Sequence, residues 1–305
     1  MKDLSMKFGA CEICGSTNWS EIYNGPIRYG KHGETKEGSV AECDLCTVRR
    51  LNENLCLSSI DYESAGYRNM LDESHDERQF ADLHHRFHSF SLRVLDKFNI
   101  RGKVVADVGA GGATLLDNFA GIAKRIIAIE PNEFFASQII DRGYDYFSYA
   151  SEARRDFEGE VDLVNCSQVI EHVENPKEFV REIYSLVKPG GHLIVSTPNR
   201  NDILTNICAS QFLPFFYRCQ HRWYFDQGSL EKCFELSGIQ NVEFEYVHRY
   251  GLSNALHWLS EQEPRGWEDY PGVPIEFEKM WKLMCEQQKA ADQIYVIAQK
   301  NAKEK

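Results

Sequence analysis

Two close pairs of cysteines, Cys11-Glu12-Ile13-Cys14 and Cys43-Asp44-Leu45-Cys46, stand 28 residues apart. Each pair can turn two thiolates toward one ion, and together they complete a tetrahedral sulfur site of the kind zinc takes. Four protein sulfurs leave no position for water or substrate, so such a zinc would be structural. A redox role fits less well, because neither pair opens a helix in a βαβ setting. The other six cysteines, Cys56, Cys166, Cys208, Cys219, Cys233 and Cys285, read as packing residues.

A second constellation begins at Val104-Val105-Ala106-Asp107-Val108-Gly109-Ala110-Gly111-Gly112-Ala113-Thr114. It reads as a strand, a glycine-rich turn and the start of a helix. Glycines let a ligand approach the backbone, and the helix start offers free N–H groups. Asp107, two residues before the first glycine, can hold a cationic amino group and would repel a pyrophosphate. Glu130, in Ile127-Ala128-Ile129-Glu130-Pro131-Asn132, ends the next expected strand, where a carboxylate can accept both hydroxyls of a ribose. Further on, Gln220-His221-Arg222-Trp223-Tyr224-Phe225 places a histidine in an aromatic run with Phe212, Phe215, Phe216 and Tyr217. His221 could take a proton near neutral pH, with Tyr217 as a second candidate. Arg218 could clamp a phosphate or carboxylate. The competing reading of His221 is a packing residue.

These residues need a scaffold. Apolar β-branched runs at 104–108, 125–129, 161–165 and 192–196 alternate with helical segments, which predicts a parallel sheet covered on both faces. Later strands are expected at 242–247 and 293–299. Phe80, Leu83, Phe87, Phe90, Val94 and Phe98 recur at helical spacing and predict one buried helix face. Residues 1–58 read as turn-rich. The stretch 24–39, with four glycines and a proline, is expected to bury little and to need a staple. The segments are thus 1–60, a metal module; 61–98, a helical connector; and 99–305, the α/β domain. That last domain carries an aromatic insertion near 200–227 and a helical one near 251–290.

The motifs resemble, in order and spacing, those of class I S-adenosylmethionine-dependent methyltransferases. The resemblance is carried by Asp107-x-Gly109-x-Gly111, Glu130, Val169-Ile170-Glu171-His172 and Lys188-Pro189-Gly190-Gly191, and covers about residues 100–200. It implies a doubly wound, seven-stranded Rossmann-like sheet behind the small zinc-knuckle domain. It also implies that Asp107, Gly109 and Gly111, with Ala110, line the methionine part of the cofactor. Glu130, with Pro131, would meet the ribose, and Ser167, Gln168 and Val169 would neighbour the adenine or methionine. Ala113 departs from the pattern, since many relatives have glycine there. Glu171 and His172 are expected to support the loop below the cofactor. A zinc module before such a domain resembles C-methyltransferases of nucleotide-linked deoxysugars and related enzymes of polysaccharide and natural-product pathways. In those sugar enzymes a tyrosine stands where this chain has Arg218.

Composition bounds the acceptor. The net charge is −12, which disfavours nucleic acid as a partner. No stretch is long and apolar enough to span a membrane, and no signal peptide opens the chain, so a cytoplasmic protein is expected. The expected activity is methyl transfer from S-adenosylmethionine to a small molecule, a sugar or glycan precursor such as a nucleotide sugar. The alternatives are a nicotinamide-dependent oxidoreductase and a non-catalytic zinc-containing binding protein. The sequence leaves open the methylated atom, the oligomeric state and the role of the segment from Arg249 to Trp258. Tyr62 and Tyr67 are weaker acceptor-site candidates.

Overall fold

The computed structural model describes residues 8–58 and 77–302, with side chains from residue 85 in the second span. Tyr62, Tyr67 and the side chains of Phe80 and Leu83 lie outside it. The first long helix, α1, spans Glu77–Leu95 and ends on the buried Val94 and Leu95. The strands that follow are β4 (Val104–Val108), β5 (Arg125–Ile129), β6 (Asp145–Phe147), β7 (Val161–Ser167) and β8 (Val187–Pro198). The intervening helices are α2 (Ala136–Asp141), α3 (Ala150–Phe157) and α4 (Pro176–Leu186). Asn175 caps α4 by accepting the Glu178 N–H, with Pro176 at the first turn, where it sacrifices no helix hydrogen bond.

The sheet has seven strands in the order β10-β11-β8-β7-β4-β5-β6, with β10 at Glu243–Val247 and β11 at Gln293–Gln299. β4 pairs in parallel with both β5 and β7. The chain therefore lays β5 and β6 on one side of β4 and then crosses to place β7 on the other. That reversal opens a crevice at the carboxyl ends of β4 and β7, the usual ligand position in such sheets. All but the first residue of β4 and of β5 are buried, as burial on both faces demands. Lys188-Pro189-Gly190-Gly191 is no free turn. It bulges out of β8, since Val161 pairs with Val187 while Leu163 pairs with His192. A Cβ on Gly191 would lie 2.8 Å from the Asp162 carbonyl, so the bulge requires glycine.

A second, four-stranded sheet has the order β1-β2-β3-β9. Its strands are β1 (Trp19–Arg28), β2 (Thr35–Cys43), β3 (Arg49–Leu51) and β9 (Trp223–Tyr224). The stretch 24–39 is thus mostly a paired hairpin rather than a run of turns. Gly25 faces Gly38, Pro26 faces Glu37 and Ile27 faces Lys36. A Cβ on Gly38 would sit 2.3 Å from Leu55 Cδ1 and 2.7 Å from Ile27 Cγ1; here glycine permits close packing. What the composition hides is the apolar cover. Ile27, Val40 and Leu51 share a buried cluster with Phe212, Phe216, Tyr217, Tyr224 and Trp258. The last five come from the aromatic insertion, α5 (Ala209–Phe216) onward, and from α6 (Leu252–Ser260). Each large side chain so buried contributes about 1.5–3 kcal/mol.

Buried arginines add to that cover. Arg200 donates to Glu42 at 2.9 Å, to the Thr47 carbonyl at 2.5 Å and to Asp226 at 2.5 Å. Arg50 donates to the Phe8 carbonyl at 2.7 Å and to Glu12 at 3.0 Å, and pairs with Glu53. By compactness the chain forms two units. One comprises 1–56, 197–232 and 244–295; the other comprises 57–196, 233–243 and 296–305. Among the described residues no helix is long and apolar enough to cross a membrane.

Candidate functional site

The glycine turn, both carboxylates and the end of β7 all fall in the second unit. Asp107 sits on β4 and is 4% exposed. Asn165 Nδ2, from the neighbouring β7, donates to Asp107 Oδ1 at 2.6 Å, and the register Asp107↔Asn165 places them side by side. Among the described residues this amide is the only hydrogen-bond donor to the Asp107 carboxylate, so the second oxygen remains for a ligand. Burial pushes the Asp107 carboxyl up to about 7; the Asn165 hydrogen bond opposes the rise, and the charge of Glu130 adds to it.

Gly109 has φ +76° and Gly111 φ +51°, the left-handed region that glycine enters without strain. Gly109 N–H donates to the Ile129 carbonyl at 2.8 Å, and Ala110 N–H to the same oxygen at 3.2 Å. A Cβ on Gly109 would lie 2.3 Å from Val169 Cγ2, so the turn and the segment after β7 meet through the missing side chain. Ala113 also has positive φ, +59°. The departure noted in the sequence therefore falls where glycine would relieve a strain of about 1–2 kcal/mol.

Glu130, just past β5, accepts Gly111 N–H on Oε2 and Asn132 N–H on Oε1, each at 2.8 Å. It thus braces the glycine turn and the following Pro131-Asn132 segment at once. Burial raises its carboxyl above the usual range, against those two backbone hydrogen bonds. Each oxygen keeps a lone pair for a further donor. Ser167 ends β7, with its hydroxyl donating to Asn165 Oδ1 at 3.3 Å. Gln168 has φ +59°, unusual for a residue with a side chain. It is held by its N–H on the Ser196 carbonyl at 2.9 Å and by Nε2 on Ser196 Oγ at 3.3 Å. His172 N–H closes the next turn on the Val169 carbonyl at 2.9 Å, and Glu171 is buried.

Asn165, Asn132 and Ser196 carry this geometry without having been singled out in the sequence. Asn165 left a signal: an amide inside the apolar run Val161–Cys166 must find a buried partner. Ser196 left none, because its role depends on the β7–β8 register.

His221 and Tyr217 lie in the first unit. His221 is buried, its N–H on the Arg218 carbonyl at 3.0 Å, and its ring lies 6.1 Å from that of Tyr224. Tyr217 is 1% exposed and packs against Tyr23 at 4.8 Å and Tyr224 at 4.9 Å between centroids. Burial raises its phenol, partly offset by Arg49.

The four paired cysteines converge. Cys11 Sγ lies 3.6 Å from Cys46 Sγ, and Cys14 Sγ 3.5 Å from Cys43 Sγ. All four sulfurs lie within 4.8 Å of one another. A zinc–sulfur bond of about 2.3 Å gives a tetrahedral edge of about 3.8 Å, so the donor set fits one zinc ion. Each pair is followed by a left-handed residue, Gly15 at φ +79° and Thr47 at φ +58°. Their N–H groups fold back onto the Cys11 carbonyl at 2.7 Å and the Cys43 carbonyl at 2.9 Å.

Residues 73–244 match the family model described as a methyltransferase domain. The ubiquinone biosynthesis O-methyltransferase of Shewanella halifaxensis is 34% identical over 134 residues, covering 41% of this chain and 56% of that protein. The chain thus spans a little over half the length of such curated relatives. Among solved structures, the 1,6-didemethyltoxoflavin-N1-methyltransferase of Burkholderia thailandensis is similar with TM-score 0.51 and 14% identity, over 91% of this chain and 99% of that one. A SAM-dependent methyltransferase from Archaeoglobus fulgidus gives TM-score 0.50 and 18% identity, over 77% and 98%. These two likenesses concern the fold.

Proposed function

The chain belongs to the methyltransferase domain family, and from that premise we propose that it transfers a methyl group from S-adenosylmethionine to a small-molecule acceptor. The observation that carries this reading is the pair of buried carboxylates, Asp107 and Glu130, on either side of the glycine turn. A half-satisfied buried carboxylate favours a ligand that brings a cation and donors, as an amino acid end and a ribose do. Asp107, two residues before the first glycine, disfavours a pyrophosphate, which weighs against the nicotinamide reading.

In this proposal Asp107 accepts the cofactor's amino group on its second oxygen. Asn165 keeps the carboxylate from turning. Glu130 accepts the ribose hydroxyls while its own backbone hydrogen bonds fix its position. Gly109, Ala110, Gly111, Pro131, Ser167, Gln168 and Val169 supply the walls. The bound sulfonium supplies an already activated methyl group, so the protein's task is alignment and the removal of one proton. His221 is the proposed base, with Tyr217 second. The likeness to ubiquinone biosynthesis O-methyltransferases favours oxygen as the methylated atom, and a sugar or glycan precursor, nucleotide-linked or free, is the proposed acceptor. Cys11, Cys14, Cys43 and Cys46 hold a structural zinc.

Calorimetric titration with S-adenosylhomocysteine and with NAD tests the core of this reading. The parent should bind the first and not the second. Asp107→Ala and Glu130→Ala should each lose about 1–3 kcal/mol of that binding, the scale of a charge-assisted hydrogen bond. Variants that bind as the parent does would place the cofactor elsewhere. His221→Ala should keep the cofactor affinity and lose about 10²–10⁴-fold in turnover; near-parental turnover removes it from the mechanism.

A further inference from the structure

One cationic cluster in the first unit has no part in the reading above. Arg28 ends β1, and its backbone is stitched to the aromatic insertion on both sides. Arg28 N–H donates to the Tyr217 carbonyl, and Cys219 N–H donates to the Arg28 carbonyl at 3.0 Å. Arg28 and Arg218 form a parallel bridge, so two guanidinium side chains leave neighbouring backbone positions. Both reach the same ring: Arg28 Cζ lies 4.0 Å from the Phe215 centroid and Arg218 Cζ 6.0 Å from it. Both arginines and Phe215 are half-buried. Lys36, exposed on β2, adds its field to theirs at the buried Cys219.

This placement is costly. Two like charges held side by side and partly desolvated repel one another. The chain has 46 acidic residues against 34 Lys and Arg, yet among the described residues no carboxylate pairs with Arg28, and its Nε is buried without a hydrogen-bond partner. Elsewhere in the same unit arginines are paired: the buried Arg200 with Glu42 and Asp226, and the half-buried Arg249 with Asp292. Burial and then the charge of Arg218 bring the Arg28 guanidinium down to about 8, as expected where a second cation lies beside it.

We propose that Arg28 and Arg218, with Lys36 beside them, form a phosphate-binding site, and that the ligand is a phosphorylated small molecule. Guanidinium forks match phosphate oxygens, and stacking on Phe215 holds the Arg28 plane ready for them. Three cations suit a dianion better than a carboxylate.

The test is a titration of the full chain with inorganic phosphate at constant ionic strength, followed by calorimetry and by thermal shift, with acetate in parallel. The parent should respond saturably to phosphate and at least several-fold more weakly to acetate. Arg28→Gln and Arg218→Gln should each weaken the phosphate response about tenfold or more, and Arg28→Lys should recover part of it. Lys36→Gln, at an exposed position, should fall in the same direction by less, and it serves if an arginine variant does not fold. Phosphate binding unchanged in the folded variants overturns the site. An equal response to acetate overturns the choice of phosphate. S-adenosylhomocysteine binding, read in the same samples, separates the two proposals. A parent that binds phosphate but not S-adenosylhomocysteine loses the methyltransferase reading and keeps this site; the converse loses only this site.

Discussion

Burial pushes the Asp107 carboxyl up to about 7, far above the ordinary range near 4. Between those two values the folded ligand-free chain binds more protons at this group than the unfolded chain does. Its contribution to stability is therefore full below about pH 4 and is lost as pH rises through about 7. Asp107→Asn should remove that dependence: melting curves should show the variant gaining on the parent from pH 5 to pH 8. Cofactor binding should run the other way. A cationic amino group favours the ionised carboxylate, so S-adenosylhomocysteine affinity should rise through about pH 7 in the parent and stay flat in the variant. A parent whose affinity ignores pH in that window would contradict the role given to Asp107. A residue that costs stability in the free protein and strengthens binding is what a ligand site requires.

At the scale of elements, the two cysteine knuckles are similar in form but unequal in ease. After the first, the left-handed position is Gly15; after the second it is the β-branched Thr47, at φ +58° and exposed. Such a residue pays about 1–2 kcal/mol for that conformation, and the glycine's greater freedom in the unfolded chain returns part of the gain. Thr47→Gly should raise stability by about 0.5–1 kcal/mol in denaturant titration, provided the metal is bound. A destabilised variant would mean that the Thr47 side chain does more than its exposure suggests. Elemental analysis of protein purified without chelator should find about one zinc per chain; protein free of metal would refute the centre.

The whole molecule has two compact units, and the proposed cofactor and zinc fall one to each. The proposed cofactor residues 107–111, 130 and 167–169 lie in the second unit, and the four cysteines lie in the first. Hydrogen exchange should separate them. S-adenosylhomocysteine should slow exchange at the ends of β4, β5 and β7. Chelation should speed exchange at 8–56, because the two knuckles at the ends of the β1–β2 hairpin depend on their metal. Its effect should also reach 204–224 and α6, whose Phe212, Tyr224 and Trp258 share one buried cluster with Ile27, Val40 and Leu51. Chelation confined to 8–56 would show that this cluster stands without the knuckles.

Sequence alone was enough for the parallel run β8-β7-β4-β5-β6, the glycine turn with its two carboxylates, and the sulfur quartet. Each depends on residues close in the chain or on a short periodic pattern, which local chemistry makes readable. The hairpin at 24–39 was not readable, since four glycines and a proline mask a ladder whose apolar cover comes from 204–258. Nor was the clamp of Asn165 on Asp107, 58 residues away, or the meeting of Arg28 with Arg218. Those pairings exist only once strands take their register and distant segments share a core. Burial then sets what each charged group can do, and burial is a property of the folded chain rather than of any stretch of it.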